Sequence, residues 1–198
     1  MVIKFKSNHF RDIMRICGPI TSTCPDNREI CHYISLVFYY DVCEAYGSNG
    51  HQISKVEVPC ILKNVYPRFT LLIPPLKVPP RTREVEIHVD EKEKEYELMY
   101  LDEESDVIGA DKYKFFEGEP LDYESFYIKA QENFDKYNNG EGKYVISVNP
   151  KYLISALEGL KSCDSVIINF GSAVEPFLIR SGDESVKTSA LLYPVRMT

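Results

Sequence analysis

The same succession of elements, one strand, one capped amphipathic helix and three further strands, is legible at both ends of this 198-residue chain. Val2–Lys6 alternates apolar and polar side chains, as a half-buried strand does. Ser7 is placed to cap a helix over residues 8–17, where Phe10, Ile13, Met14 and Cys17 recur at i, i+3, i+4 and i+7 on one face. Gly18-Pro19 is expected to stop it, and Arg11 and Arg15 fall one turn apart on the opposite face. Strands are expected at His32–Tyr40, Val42–Tyr46 and Ile53–Val58, the last two around the turn signal Gly47-Ser48-Asn49-Gly50. At the other end, Tyr144–Val148 reads as a strand, Asn149 as an N-cap and Pro150 as a first helical residue with its φ already set. Tyr152, Leu153, Ala156, Leu157 and Leu160 give helix 150–161 one apolar face, and Ser165–Phe170, Glu175–Arg180 and Thr188–Val195 close the chain. A β-α-β-β-β order that recurs without recurring residues is what an internal structural repeat leaves behind. The fold class expected is therefore α+β: two such units with antiparallel sheets and both helices on one face.

Between the two units, Phe69–Ile73 is a strand ended by Pro74-Pro75, and the stretch up to Pro79-Pro80 cannot be a regular helix. Val85–Val89 and Glu95–Leu101 form a hairpin across the charged turn Asp90–Lys94, and Lys112–Phe116 is one more strand. Residues 122–139 stay open: Phe126, Ala130, Phe134 and Tyr137 permit a helix, which Asn138-Asn139-Gly140 would end. The domain division expected is 1–124, a linker 125–143, and a smaller unit 144–198 packed on the first.

Composition then narrows the function. A hydrophobic share of 44% and a charged share of 27% are those of a globular protein, and no run of about 18 apolar residues is present to span a membrane. The first residues lack the apolar core of a secretory signal, so a cytoplasmic protein is expected. Six cysteines (17, 24, 31, 43, 60 and 163) show no CxxC spacing and read as reduced thiols, with no metal site. Residues 1–83 hold 11 Lys and Arg against 6 Asp and Glu, whereas residues 84–124 hold 4 against 16. The net charge of −7 therefore leaves room for a basic face that meets nucleic acid. No P-loop, G-x-S-x-G, H-E-x-x-H or Gly-rich dinucleotide fingerprint is present, so a binding protein is expected rather than an enzyme, with no catalytic residues and no cofactor.

Ile146-Ser147-Val148-Asn149-Pro150-Lys151-Tyr152-Leu153-Ile154-Ser155-Ala156-Leu157, Pro176-Phe177-Leu178-Ile179-Arg180 and Leu192-Tyr193-Pro194-Val195-Arg196 resemble, in order and spacing, the last β-α step, closing strands and C-terminal tail of the bacterial DNA polymerase III beta subunit, the sliding clamp. Residues 2–60 are similar to the first half of that family's middle domain, with Gly50-His51-Gln52-Ile53 where the family has Gly-His-Arg-Leu. Phe69–Pro74 and Val85–Tyr123 resemble its second half, which Gly118-Glu119-Pro120-Leu121-Asp122-Tyr123 closes. The proline-rich segment stands where a helix belongs, and half of a third domain is missing, leaving about one and a half clamp domains.

The resemblance implies a DNA replication processivity or tethering factor that rides on duplex DNA and captures clamp-binding peptides of polymerases or repair proteins. It implies a peptide pocket of Gly50, His51, Gln52 and Ile53 with Leu191, Leu192, Tyr193, Pro194, Val195 and Arg196, in which apolar side chains take a Leu or Phe anchor. It also implies a phosphate-facing helix surface, to which Lys6, Arg11, Arg15, Lys151 and Lys161 would contribute. A homo-oligomer is expected. The alternative keeps the fold without the DNA: a peptide-binding adaptor or decoy.

Overall fold

The computed structural model describes residues 1–24, 28–63, 68–137, 146–170, 172, 174–182 and 187–195. β1 (Val2–Lys6) runs into α1 (Ser7–Thr21), followed by β2 (Ile34–Tyr39), β3 (Val42–Ser48) and β4 (Gln52–Pro59). A second run holds the short β5 (Ile61–Lys63), then β6 (Phe69–Ile73), β7 (Glu84–Asp90), β8 (Glu95–Leu101) and β9 (Val107–Lys114). The two runs exchange their leading strands: β1 pairs antiparallel with β7, and β6 pairs antiparallel with β2. One sheet is thus β5-β1-β7-β8-β9. The other continues into β10 (Val166–Asn169), β11 (Phe177–Ser181) and β12 (Thr188–Leu192), in the order β10-β11-β12-β4-β3-β2-β6. Strands β2, β3, β4 and β6 therefore share one sheet with the C-terminal strands, joined where β12 lies against β4. The α+β class with antiparallel sheets is the one expected.

Strand alternation decides which core each residue joins. Ile34, Leu36 and Phe38 of β2 turn inward with Phe10, Ile13, Ile16 and Cys17 of α1 and with Ile3, Phe5, Val85, Ile87 and Leu98 of the facing sheet. Val37 and Tyr39 of the same strand turn the other way, toward a second cluster of Tyr46, Ile53, Tyr123, Ala130 and Leu191. That outer face is covered by α2 (Tyr123–Tyr137), so the segment expected as a linker is helical as far as Tyr137.

α1 differs from expectation at both ends. Ser7 is its first helical residue rather than its cap, and the Ser7 hydroxyl accepts from Arg11 Nε at 3.0 Å. Gly18-Pro19 does not stop the helix, which continues to Thr21. A proline so near a C-terminus removes only one bond, and Ile20 and Thr21 are buried by the continuation. The last carbonyls are also satisfied: Thr21, Ser22 and Thr23 hydroxyls donate to those of Gly18, Pro19 and Ile20 at 2.9, 2.8 and 2.8 Å.

The proline-rich segment is extended, as expected, and lies across α1. Leu76 N–H donates to Met14 Sδ at 3.3 Å, and the Arg11 guanidinium donates to the carbonyls of Val78, Pro79 and Pro80 at 3.4, 2.5 and 3.3 Å. α3 (Pro150–Gly159) is capped as expected, Asn149 Oδ1 accepting from Lys151 N–H at 3.0 Å. It packs beside α1, and Arg15 Nη1 donates to the Gly159 carbonyl at 3.2 Å. Beneath α3, Ala156 and Leu160 meet Phe177, Ile179, Ala190 and Leu192. Of the strand expected at Tyr144–Val148, Tyr144 and Val145 lie outside the described residues, and Ile146–Val148 belong to no strand. None of the six cysteines is in a disulfide, and burial pushes the Cys17 and Cys43 thiols well up while raising that of Cys60 to about 12. Among the described residues, no helix is long and apolar enough to cross a membrane.

Candidate functional site

The turn between β3 and β4 is built by Asn49. Its Oδ1 accepts from the main-chain amides of His51 and Gln52 at 3.1 and 3.0 Å, and its Nδ2 donates to Thr23 Oγ1 at 3.0 Å, tying the turn to the end of α1. Gly50 follows at φ +81°, the left-handed region that favours glycine, and its amide donates to Ser48 Oγ at 3.1 Å. A Cβ on Gly50 would also collide with the Arg28 guanidinium. The turn thus requires the glycine, whereas the exposed end of Arg28 is free to swing aside.

This turn borders an apolar hollow of about 600 Å³. Gly50, Ser48 and Ile53 line one side. Arg28, Glu29, Ile30 and Cys31, around a 3-10 turn at Glu29–His32, line a second, while Leu121, Tyr123 and Phe126 at the start of α2 and Tyr193 after β12 complete it. Behind Ile53 lies Leu191, its register partner across β4 and β12. Tyr123 stacks on Tyr46 at 5.3 Å between ring centroids, and Tyr127 donates its hydroxyl proton to the Ile53 carbonyl at 3.1 Å, which docks α2 on the sheet. Burial raises the Tyr123 and Tyr193 phenols above their ordinary value, so the hollow's hydroxyls are uncharged at neutral pH. Arg28 is exposed and has no hydrogen bond or ion pair through its guanidinium among the described residues.

Of the peptide-pocket residues expected, Gly50, Ile53 and Tyr193 line the hollow and Leu191 backs it. His51, Gln52 and Leu192 do not belong to it. Leu192 follows Leu191 on the same strand and so points to the opposite face, where it packs under α3. Gln52 is its register partner and shares that face, fully buried with no hydrogen-bond partner for either amide atom among the described residues. His51 stacks on Tyr152 of α3 at 5.5 Å. Pro194 and Val195 lead away past α3, Val195 N–H donating to the Ser147 carbonyl at 2.8 Å, and Arg196 lies outside the described residues. Arg28, Ile30, Leu121 and Phe126 were not expected. Leu121 stands in the Gly118–Tyr123 motif, the one signal in the sequence that could have marked it.

The expected phosphate-facing surface also changes. Lys6, Lys151 and Lys161 are exposed, but Arg11 and Arg15 are half-buried. Arg11 is committed to the proline-segment carbonyls and shares a hollow with Asp102, Glu103 and Glu104, so it is not remote from the acidic stretch. Arg15 pairs with Asp12 at 3.0 Å besides holding Gly159. Asp102, Glu104 and Asp106 bring one carboxylate oxygen each within 4.8 Å of one another, and Asp102 Oδ1 accepts from the Glu104 and Asp106 amides at 3.0 Å, which closes a loop.

No protein-family model matches the chain, and no curated protein matches it. Solved structures do. The DNA polymerase III beta chain of Streptococcus pneumoniae TIGR4 superposes with a TM-score of 0.70 at 18% identity, over 98% of this chain and 64% of that one. The DNA polymerase III subunit beta of Pseudomonas aeruginosa gives 0.73 at 12% identity, over 100% and 66%. The Helicobacter pylori beta clamp, solved bound to a DNA ligase peptide, gives 0.70 at 12%, over 99% and 66%. This chain therefore spans just under two thirds of each. Identities this low show the fold: the chain has the bacterial beta-clamp fold in shortened form.

Proposed function

We propose that this clamp-fold chain is a non-catalytic tethering protein of DNA replication or repair, which holds partner proteins by a short linear peptide seated in the hollow between the Asn49–His51 turn, Tyr193 and the start of α2. The observation that carries the reading is that hollow: Gly50, Ile53 and Tyr193, chosen by resemblance alone, meet around an apolar space sized for one Leu or Phe anchor with its neighbours. Ile30, Leu121, Tyr123 and Phe126 supply the desolvated walls on which peptide affinity depends, and the exposed Arg28 suits an acidic group beside the anchor. The Helicobacter pylori clamp taking a DNA ligase peptide supports a partner of this kind.

Titration of a fluorescently labelled polymerase-tail peptide with a Leu or Phe anchor tests it. Saturable binding is expected, and Tyr193→Ala should weaken it by about 1–2 kcal/mol, the scale of one buried apolar contact. Leu192→Ala should lower stability instead, because that side chain serves the α3 core. A folded protein that never saturates refutes the reading.

Of the two settings for this activity, the adaptor that does not encircle DNA is favoured by the engagement of Arg11 and Arg15 with their own chain. Electrophoretic binding to duplex DNA at low and moderate salt separates the two settings, because phosphate contacts made by Lys6, Lys151 and Lys161 would disappear as salt rises.

A further inference from the structure

The first 114 residues show what each β-α-β-β-β unit needs from another. The strand after α1, β2, takes the leading strand of the second run, β6, on its free edge, and the second run takes β1 on β7 in return. With that edge filled, Ile34, Leu36, Val37 and Phe38 of β2 are all buried. The flank of α1 is covered by the same run: Arg11 and Met14, the fifth and eighth helical residues, contact the segment 76–80.

Among the described residues, the C-terminal unit has neither partner. β10 stands where β2 stands, directly after its helix, yet it is the edge strand of the sheet, and Val166, Ile167 and Ile168 are 37, 41 and 39% exposed. The fifth and eighth residues of α3 are Ile154 and Leu157, also exposed. Ile146–Val148 stand where β1 stands and are in no ladder. Among the described residues the unit thus has one leading segment that is in no ladder, although Ile146 and Val148 pack on its core and the Ser147 carbonyl accepts from Val195 N–H, and one apolar edge with no leading strand on it.

We propose that a second copy of this chain fills both, by a two-fold axis between the C-terminal units. Each copy's 146–148 segment adds to the other's β10, and the two α3 flanks meet, so that two half-units form one complete domain. The exchange between β1 and β6 in the first 114 residues is the pattern, and a two-fold axis repeats it with identical halves. A foreign chain would have to bring both a free leading segment and a free edge; a second copy has both. Charge also fits: Lys151 and Glu158 are equidistant from the middle of α3 (Pro150–Gly159), so antiparallel α3 helices set each lysine against the other copy's glutamate. The pairing covers an apolar edge that would otherwise invite uncontrolled strand addition.

The test needs no ligand: light scattering after size exclusion, and sedimentation velocity, on the full chain from low to high micromolar concentration. A dimer is expected. Ile167→Lys and Ile154→Lys each replace an exposed side chain, so the fold should keep its circular dichroism and melting, while the dimer dissociation constant rises by roughly 100-fold, because each substitution enters a two-fold interface twice. Lys151→Glu should weaken the dimer and Lys151→Glu with Glu158→Lys should restore it. A monomer throughout overturns the proposal. So does an assembly indifferent to Ile167→Lys and Ile154→Lys, or one dissociated by Ile108→Lys on β9, an edge strand of the other sheet, while Ile167→Lys is silent. Should Ile167→Lys disturb the strand itself, Ile154→Lys on the helix decides alone.

Discussion

Gly47 lies in β3 opposite Ser54, with its backbone pressed against α1. A Cβ added there would sit 2.6 Å from the Cys17 carbonyl oxygen and 2.9 Å from both Cys17 Cα and Cβ. These atoms belong to helix backbone and to a fully buried residue, so no side-chain rotation relieves the clash. Either α1 retreats or β3 bows. Overpacking of this kind costs about 1–3 kcal/mol, and a clash with backbone belongs at the upper end. Alanine regains about 0.5–1 kcal/mol because it loses less chain entropy on folding than glycine in a strand. The net expectation for Gly47→Ala is therefore a loss of about 2 kcal/mol, or roughly 4–8 °C in Tm for a chain of this size. Gly159→Ala is the control: its Cβ would meet nothing nearer than Ile16 Cγ2 at 3.9 Å, an ordinary contact, and alanine favours the helix. It should be neutral or slightly stabilising. Urea unfolding followed by circular dichroism measures both. If Gly47→Ala falls within about 0.5 kcal/mol of the native chain at unchanged m, the close approach of α1 to β3 is wrong. The same variant should also weaken peptide binding, since a displaced α1 loosens the Thr23–Asn49 bond that anchors the Gly50 turn.

Two further outcomes follow from polar contacts. Arg11→Ala should lower stability by about 2 kcal/mol and expose the 76–83 stretch to limited proteolysis, because charge-assisted bonds to the Val78, Pro79 and Pro80 carbonyls are lost together; unchanged unfolding and proteolysis would return Arg11 to the solvent-facing role its spacing suggests. Glu86 is held below its ordinary 4.5, first by the hydrogen bond from Lys4, against a smaller opposing effect of burial, and then by His88. A carboxylate depressed in the folded state contributes stability that is present above that ordinary value and is lost as pH falls through the lower, folded one. Glu86→Gln should therefore flatten the stability profile below pH 4.5 and leave its shape near neutrality alone, as read from urea midpoints across that range; a profile as steep as that of the native chain sinks the assignment.

Where the sequence was legible, local rules and tertiary packing agreed. The hairpin of β7 and β8 follows alternating residues around Asp90, whose Oδ1 accepts from the Lys92 and Glu93 amides at 3.0 and 3.2 Å. The cap of α3 was equally direct, since Asn149-Pro150 acts within one turn. Misreadings came where a distant segment decided the outcome. Pro19 reads as a helix stop until burial of Ile20 and Thr21 outweighs one missing donor. Arg11 and Arg15 read as a solvated face because helical spacing shows which side is apolar, but not that proline carbonyls, which lack neighbouring N–H groups to pair with, come to lie there. The candidate site was legible in part for the same reason. Gly50, Ile53 and Tyr193 carried a resemblance, whereas Ile30 and Phe126 reach the hollow only through a 3-10 turn and a helix that periodicity left open.

β12 shows how one short strand would tie the proposed recognition to the proposed assembly. Its odd residue Leu191 supports Ile53 and the hollow under α2, while its even residues Ala190 and Leu192 support α3 on the other face. Tyr193 leaves the strand straight into the hollow wall, so its position is set by packing on both faces at once. One strand further on, β11 links β12 to the apolar edge of β10. A second copy docked on β10 and α3 would bury their exposed side chains and steady β11 and β12, and through them Tyr193. A peptide in the hollow would stabilise the same strands from the opposite face. Coupling of this kind is reciprocal: if pairing favours peptide binding, the peptide must favour pairing by the same factor. The alternation of a strand that splits Leu191 from Leu192 is thus what would separate the two proposed surfaces in space while leaving them one piece of backbone.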